Sequence, residues 1–359
     1  MTPPPPARRY AILAPDCFVT RAAKTAHGVI AYAPDTTVAV IDAAHAGRSV
    51  RDAVAYLASD APIVASVAEA VRYAPTTLLV GVAPPGGALP ATWRAAIRAA
   101  LEAKLDVVSG LHQFLAEDDE FARLARANHV AIDDVRRPPA QRLFSGAAYD
   151  VASRVVLTVG SDCAVGKMTA SLELTRAARA AGQRARFVAT GQTGIMIAGS
   201  GTAIDRVSAD FASGAAEELV LENAAASDLL FVEGQGGINH PAFAPVTLAL
   251  LYGSAPDALV LVHLATRTHV EDFGTPLLSL ARLIATYEAL TASVKPARVA
   301  GVALNTVGLD DRAAREAIER ARLETNLPCD DLVRYGAGAF YAAIAPSLAV
   351  KTRPLRVTA

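Results

Sequence analysis

The chain has 359 residues, more than one hydrophobic core usually organises, so two domains are expected. Hydrophobic residues make up 52% and charged residues 19%, which describes a globular, well-buried protein. A net charge of −1 with no basic run excludes bulk attraction to nucleic acid or to an anionic membrane.

Three cysteines, Cys17, Cys163 and Cys329, are widely spaced and odd in number, which suits a reducing cytosol and no metal knuckle. Residues 1–9 open on four prolines, Pro3 to Pro6, and have no apolar core. A disordered tail is expected there and a signal peptide is not. No apolar run approaches the length of a bilayer span, so a cytoplasmic, soluble protein is expected.

From Tyr10 to about Arg137 apolar runs alternate with alanine-rich helical stretches. Strands are expected at Thr37–Asp42, Thr77–Val82 and Asp106–Ser109, and helices at Val50–Leu57, Ala91–Ala103 and Phe114–Ala127. That alternation predicts a parallel, helix-covered sheet over 10–137. No Gly-x-Gly-x-x-Gly follows any of these strands. The turn from Gly81 to Gly87 carries two prolines where a phosphate loop needs N–H donors. Lys24, Thr25 and His27 place a cation, a hydroxyl and an imidazole in one expected loop, which suits a carboxylate ligand or plain solvated surface.

Residues 138–151 read as an extended, exposed crossing because they open on paired prolines, Pro138 and Pro139, with flanking charges. A second domain, 152–359, then begins with a β-branched run, Val155 to Val159. It enters a glycine-bounded loop (Gly160, Ser161, Asp162, Cys163, Ala164, Val165, Gly166), and a helix from Lys167 to about Ala181 leaves it. Strand, backbone cradle and helix N-terminus make a phosphate-binding loop, with Lys167 as its point charge. Five residues separate the glycines, one more than usual, and Met168 fills the slot of the hydroxyl that ligates Mg²⁺. Thr169 can still touch an α- or β-phosphate. Cys163 would be a stabilised thiolate at the helix N-terminus, but no histidine neighbours it in sequence, so the inert reading prevails.

Further strands are expected at Arg184–Thr190, Leu229–Glu233, Ala258–Leu264 and Val299–Asn305, with a polar glycine-rich loop at Gly191–Gly201 and a helix from about Ser213. The strand ending in Glu233 and followed by Gly-Gln-Gly-Gly has the form of a Walker B strand. Parallel strands converge at their C-terminal ends, which places Glu233 beside the phosphate loop. There it could hold a metal-bound water, polarise a substrate or be satisfied by loop N–H groups. His240 could take a proton from an amine or be a plain polar contact. Asp205 and Asp210 are metal or ammonium ligands, or Asp210 caps a helix. Asn305 stands where many phosphate-loop folds read a purine, or simply forms a turn.

Gly160 to Lys167 together with Glu233-Gly-Gln-Gly-Gly resembles dethiobiotin synthetase and its amidoligase relatives. Over nearly the whole chain the sequence is similar to the two-domain D-glutamate N-acetyltransferase-like family. Lys24-Thr-Ala-x-Gly28, Gly160 to Thr169, Gly191-Gln192-Thr193-Gly194, Asp205 to Phe211 and Val232 to Gly236 carry that likeness. The resemblance implies an α/β chain with a Rossmann-like parallel sheet first and a P-loop NTPase-like, dethiobiotin-synthetase-like sheet second. It further implies acetyl transfer from acetyl-CoA to a D-amino acid amine in a cleft between the domains, with Lys24, Thr25, His27, Gln192, Thr193, Asp205 and Asp210 facing the substrate.

Acetyl-CoA carries phosphates, so residues 160–169 with Asn305 could hold it as readily as ATP. Lys167, Glu233 and His240 are then the catalytic candidates, Glu233 being the preferred base. The rival is an ATP-dependent carboxylate–amine ligase using Mg²⁺, for which Glu233 and Asp205 are candidate ligands. A non-catalytic nucleotide-binding protein is the third reading. The expected partners are a small amino acid and, as a homo-oligomer, further copies of the chain, with neither nucleic acid nor membrane.

Overall fold

The computed structural model describes residues 8–82 and 89–355. The proline tail and residues 83–87 of the Gly81–Gly87 turn lie outside the described residues. The chain forms two compact units, one ending at Arg137 and taking in Ile195–Gly199, the other running from Pro138 to Gly194 and resuming at Ser200.

The first unit is a six-stranded parallel sheet of β1 (Tyr10–Leu13), β2 (Thr37–Ile41), β3 (Ile63–Val64), β4 (Thr77–Val80), β5 (Asp106–Ser109) and β6 (Ile132–Asp134). Its order is β3-β2-β1-β4-β5-β6, the doubly wound order of a Rossmann-like domain. Strands β1 and β4 are buried along their whole length, which is why they read as continuous apolar runs instead of alternating ones. The helices are α1 (Lys24–Tyr32), α2 (Val50–Ala53), α3 (Val67–Ala70), α4 (Arg94–Glu102) and α5 (Asp119–Asn128). The helix expected over Val50–Leu57 stops at Ala53. Its Ser49–Asp52 capping box starts the turn, but Val54 is already extended, as suits a β-branched residue. Lys24, Thr25 and His27 lie on α1 rather than in a loop.

The second unit holds β7 (Arg154–Gly160), α6 (Lys167–Ala180), β8 (Ala185–Val188), the first residues of α7 (Gln192–Ala198), whose remainder from Ile195 groups with the first unit, and α8 (Ala209–Ala224). It continues with β9 (Leu229–Val232), α9 (Ala244–Gly253), β10 (Ala258–Leu264), α10 (Leu280–Ala292), β11 (Arg298–Asn305), α11 (Asp311–Thr325), β12 (Cys329–Asp330) and α12 (Gly338–Leu348). All six strands are parallel, in the order β12-β11-β10-β7-β9-β8. The strand order turns between β7 and β10, so ligands belong at the carboxyl ends of those strands. The phosphate loop follows β7 there. No helix among the described residues is long and apolar enough to cross a membrane.

One sequence expectation is corrected here. The Gly191–Gly201 stretch is not a loop throughout, because Gln192–Ala198 is helical. Its Ile195, Met196 and Ile197 give it an apolar face that the flanking glycines disguise. Within the crossing at 138–151 Ala148 is buried, while Ser145, Ala147 and Asp150 are exposed. Buried Glu217 on α8 accepts the N–H groups of Ser145 at 2.6 Å and Ala148 at 3.1 Å, anchoring the chain just before β7.

Candidate active site

The phosphate loop is built by close approach. Lys167, at the start of α6, is 6% exposed and curls back so that its Nζ donates to the Asp162 carbonyl at 2.7 Å. A Cβ at Gly160 would stand 2.7 Å from that Nζ, so only glycine admits the lysine. Burial lowers the Lys167 pKa to about 8, against the pull of neighbouring Cys163, Asp162 and Glu233. It is a cation held at a cost, which an arriving phosphate would relieve.

Glu233 follows β9 directly and is 4% exposed. Its Oε2 accepts the N–H of Thr190 at 3.0 Å and of Gly191 at 3.1 Å. Burial nonetheless pushes its carboxyl up to about 7, the two N–H groups, Gln235 and Lys167 opposing. Gly194 lies against the same carboxylate, and a Cβ there would collide with it. The Gly191–Gly194 segment is therefore shaped around Glu233. Gln192 and Thr193 begin α7 and are half-buried.

Asp162 lies in the loop with its side chain sealed from solvent. Its Oδ2 accepts Arg267 at 3.0 Å and the Glu271 N–H at 2.8 Å, while its Oδ1 has no hydrogen-bond partner. Half-buried Cys163 follows it, and burial pushes its thiol up to about 11, with Lys167 pulling the other way. A carboxylate oxygen of Asp162, Cys163 Sγ and a ring nitrogen of His240 all lie within 4.8 Å of one another. No histidine neighbours Cys163 in sequence. The turn after β9 supplies one.

His240 is 2% exposed and accepts the Ala242 N–H on Nδ1 at 3.2 Å. Phe243 and Phe273 cover its ring, at centroid distances of 4.6 and 5.1 Å, and both phenylalanines remain half exposed. Ser161 pairs with His263 Nδ1 at 2.8 Å, and burial lowers that imidazole to about 4, so it is neutral. Met168 and Thr169 stand in the first turn of α6.

Other expected residues lie elsewhere or act differently. The Asn305 amide donates to the Val165 carbonyl at 3.1 Å, bracing the loop, and its Oδ1 accepts the Val307 N–H at 3.1 Å, as a turn-forming asparagine does. His27 has both nitrogens engaged, with the Phe18 carbonyl at 2.6 Å and the Tyr56 hydroxyl at 2.6 Å. Lys24 is exposed on α1 and Thr25 is buried. Asp205 is exposed in the turn Ile204–Arg206. Asp210 is not the cap of α8, which is Ser208, but lies exposed in its first turn, where the helix dipole favours an anion. Among the described residues, Glu233 and Asp205 share no three-ligand cluster. Arg267 and Tyr287, which no sequence pattern singled out, complete the site through the long-range contacts described here and below.

Fold and site together define a two-domain α/β protein with a P-loop that faces a buried carboxylate. Residues 142–341 match the P-loop domain of a family described as DUF1611, a domain of unknown function, and residues 43–138 match its Rossmann-like N-terminal domain. The chain belongs to that family. It is 39% identical over 281 residues to a protein of Pseudoalteromonas sp named D-glutamate N-acetyltransferase, covering 77% of this chain and 83% of that one. A protein of the same name from Tritonibacter scottomollicae is 37% identical over 273 residues, covering 75% and 81%. A crystal structure of a DUF1611 family protein from Anabaena variabilis superposes with a TM-score of 0.90 at 41% identity, covering 94% of this chain and 99% of that one.

Proposed function

We propose that the chain transfers an acetyl group from acetyl-CoA to the amine of a D-amino acid, D-glutamate being the first choice, and that the P-loop holds the donor's phosphates. The two relatives named D-glutamate N-acetyltransferase support the N-acetyltransferase class and the acceptor. The observation that carries the mechanism is Glu233, a buried carboxyl raised to about 7 in the same strand-end cluster as Lys167. An ammonium group must lose a proton before it can attack a thioester, and a base titrating near neutrality suits that task. Lys167 and the loop N–H groups bind the donor's phosphates, and relief of the buried lysine charge adds to that binding.

A Mg²⁺-dependent ligase fits these residues less well. Met168 replaces the hydroxyl that would ligate the ion. Glu233 already accepts two backbone N–H groups and holds its proton up to about pH 7, which weakens it as a ligand for a hard cation. The melting temperature of the purified protein tests the donor: acetyl-CoA should raise it, and a rise with ATP–Mg²⁺ alone would favour the ligase.

A further inference from the structure

The thiol that has no base in sequence has one in the fold. Cys163 Sγ, a carboxylate oxygen of Asp162 and a His240 ring nitrogen lie within 4.8 Å of one another, and Cys163 is half-buried, so a donor carbonyl can reach it. A second observation marks the same spot. Asp162 is 1% exposed, and its Oδ1 has no hydrogen-bond partner. A bare carboxylate oxygen in the interior costs free energy until a proton donor or cation meets it. Cysteine, imidazole and carboxylate are the parts of a base-activated acyl-transfer nucleophile, recognised by geometry and not by order in sequence.

We propose that Cys163 carries the acyl group between donor and amine, with His240 as its base and Asp162 as the anion that steadies the imidazolium. The proposal rests on the acetyl-thioester reading above. In the first half-reaction His240 takes the thiol proton and the sulfur attacks the acetyl carbonyl carbon of the donor. The donor's C–S bond breaks, its sulfur receives the proton from His240, and CoA leaves as the free thiol. Acetyl-Cys163 remains.

In the second half, Glu233 has taken the ammonium proton of the acceptor and passes it to water. The free amine attacks the acetyl carbon, the bond to the Cys163 sulfur breaks, and the second N–H proton returns through His240 to that sulfur. The products are the N-acetyl amino acid and the resting thiol. The imidazolium forfeits the Ala242 N–H contact, which at 3.2 Å is a long one. The Asp162 carboxylate offers the compensating charge. Burial keeps Cys163 a thiol at rest, so the nucleophile forms only when base and donor are both in place. A divalent metal suits the same three donors poorly, because Lys167 and Arg267 both contact Asp162 and their charges would oppose it.

The test uses the full chain with acetyl-CoA and no amine. Rapid quenching should find one acetyl group on the peptide containing Cys163, labile to hydroxylamine. Labelled CoA should exchange into acetyl-CoA without any amine, and D-glutamate should discharge the acetyl-enzyme. Cys163→Ala, checked for an unchanged melting curve, should lose about 10³-fold or more in turnover, while Cys17→Ala should keep its acetylation. Asp162→Asn should slow the exchange and displace its pH profile, which a merely structural change would not do. If the wild type acetylates D-glutamate yet shows neither exchange nor acetyl-Cys163, the amine attacks the donor directly: this inference is overturned and the proposed function stands. If acetyl-CoA releases no thiol with any D-amino acid, both are overturned.

Discussion

The Tyr287 hydroxyl donates to the Gly160 carbonyl at 2.7 Å and accepts the Ile238 N–H at 3.1 Å. One fully buried phenol on α10 thus ties the start of the phosphate loop to the glycine turn that carries His240. Removing the hydroxyl takes a partner from the buried Gly160 carbonyl, at about 1–3 kcal/mol, and from the part-buried Ile238 N–H. Tyr287→Phe should therefore lower the urea midpoint and weaken donor binding together. A variant with unchanged stability and unchanged donor affinity would show that the phenol only fills space.

Lys167→Ala should remove a charge-assisted contact to the donor's phosphates worth about 1.5–3 kcal/mol, or about ten- to hundredfold in affinity. Because the lysine is buried and its pKa is lowered, the same change should not destabilise the free protein much. Calorimetric titration of acetyl-CoA into the variant decides, and unchanged affinity would make the loop a structural corner.

Glu233 predicts a pH dependence of definite sign. Its folded carboxyl sits near 7 against 4.5 ordinarily, raised by burial. A raised pKa means that the folded state holds the proton more tightly. The stability it contributes is full below about pH 4.5 and is lost as pH rises through about 7. Lys167, lowered to about 8 by burial, acts with the opposite sign, its contribution being lost as pH falls through about 8. Comparison with Glu233→Gln separates the two. The variant should gain stability relative to wild type above pH 7 and not below pH 4.5, while its turnover falls by about 10²–10⁴ with donor affinity nearly intact. Identical stability profiles for the two proteins would contradict the burial of an ionised Glu233.

Much of this architecture was legible in the residues. The strands around the loop read correctly because buried parallel strands are unbroken apolar runs, and Gly160, Gly166 and Lys167 identify a phosphate loop by local spacing. The helix at Gln192–Ala198 escaped because the glycines and hydroxyl residues around it suggest a loop, and its apolar face emerges only when it packs. The His240–Cys163 approach escaped for another reason. It joins two strand ends, and which ends become neighbours is fixed by strand order, to which local pattern is blind. Tyr287, Arg267 and the bracing role of Asn305 have the same origin.

Asp257 anchors the start of β7. It accepts the Val155 N–H at 2.9 Å, Lys295 at 2.8 Å and Lys351 at 3.0 Å. Burial alone would raise its pKa, and the two lysines with the N–H more than reverse this. Lys295→Met should cost about 3–5 kcal/mol in a chemical denaturation experiment, because it leaves a buried carboxylate under-compensated. A neutral result would mean that Lys351 suffices by itself.

The most direct test of the acetyl-transfer account is free-thiol release from acetyl-CoA by the purified chain, with D-glutamate present and ATP and Mg²⁺ absent. The account predicts steady thiol release that depends on D-glutamate and yields the N-acetyl amino acid in equal amount. Product that forms only with ATP, accompanied by ADP and phosphate, would contradict it.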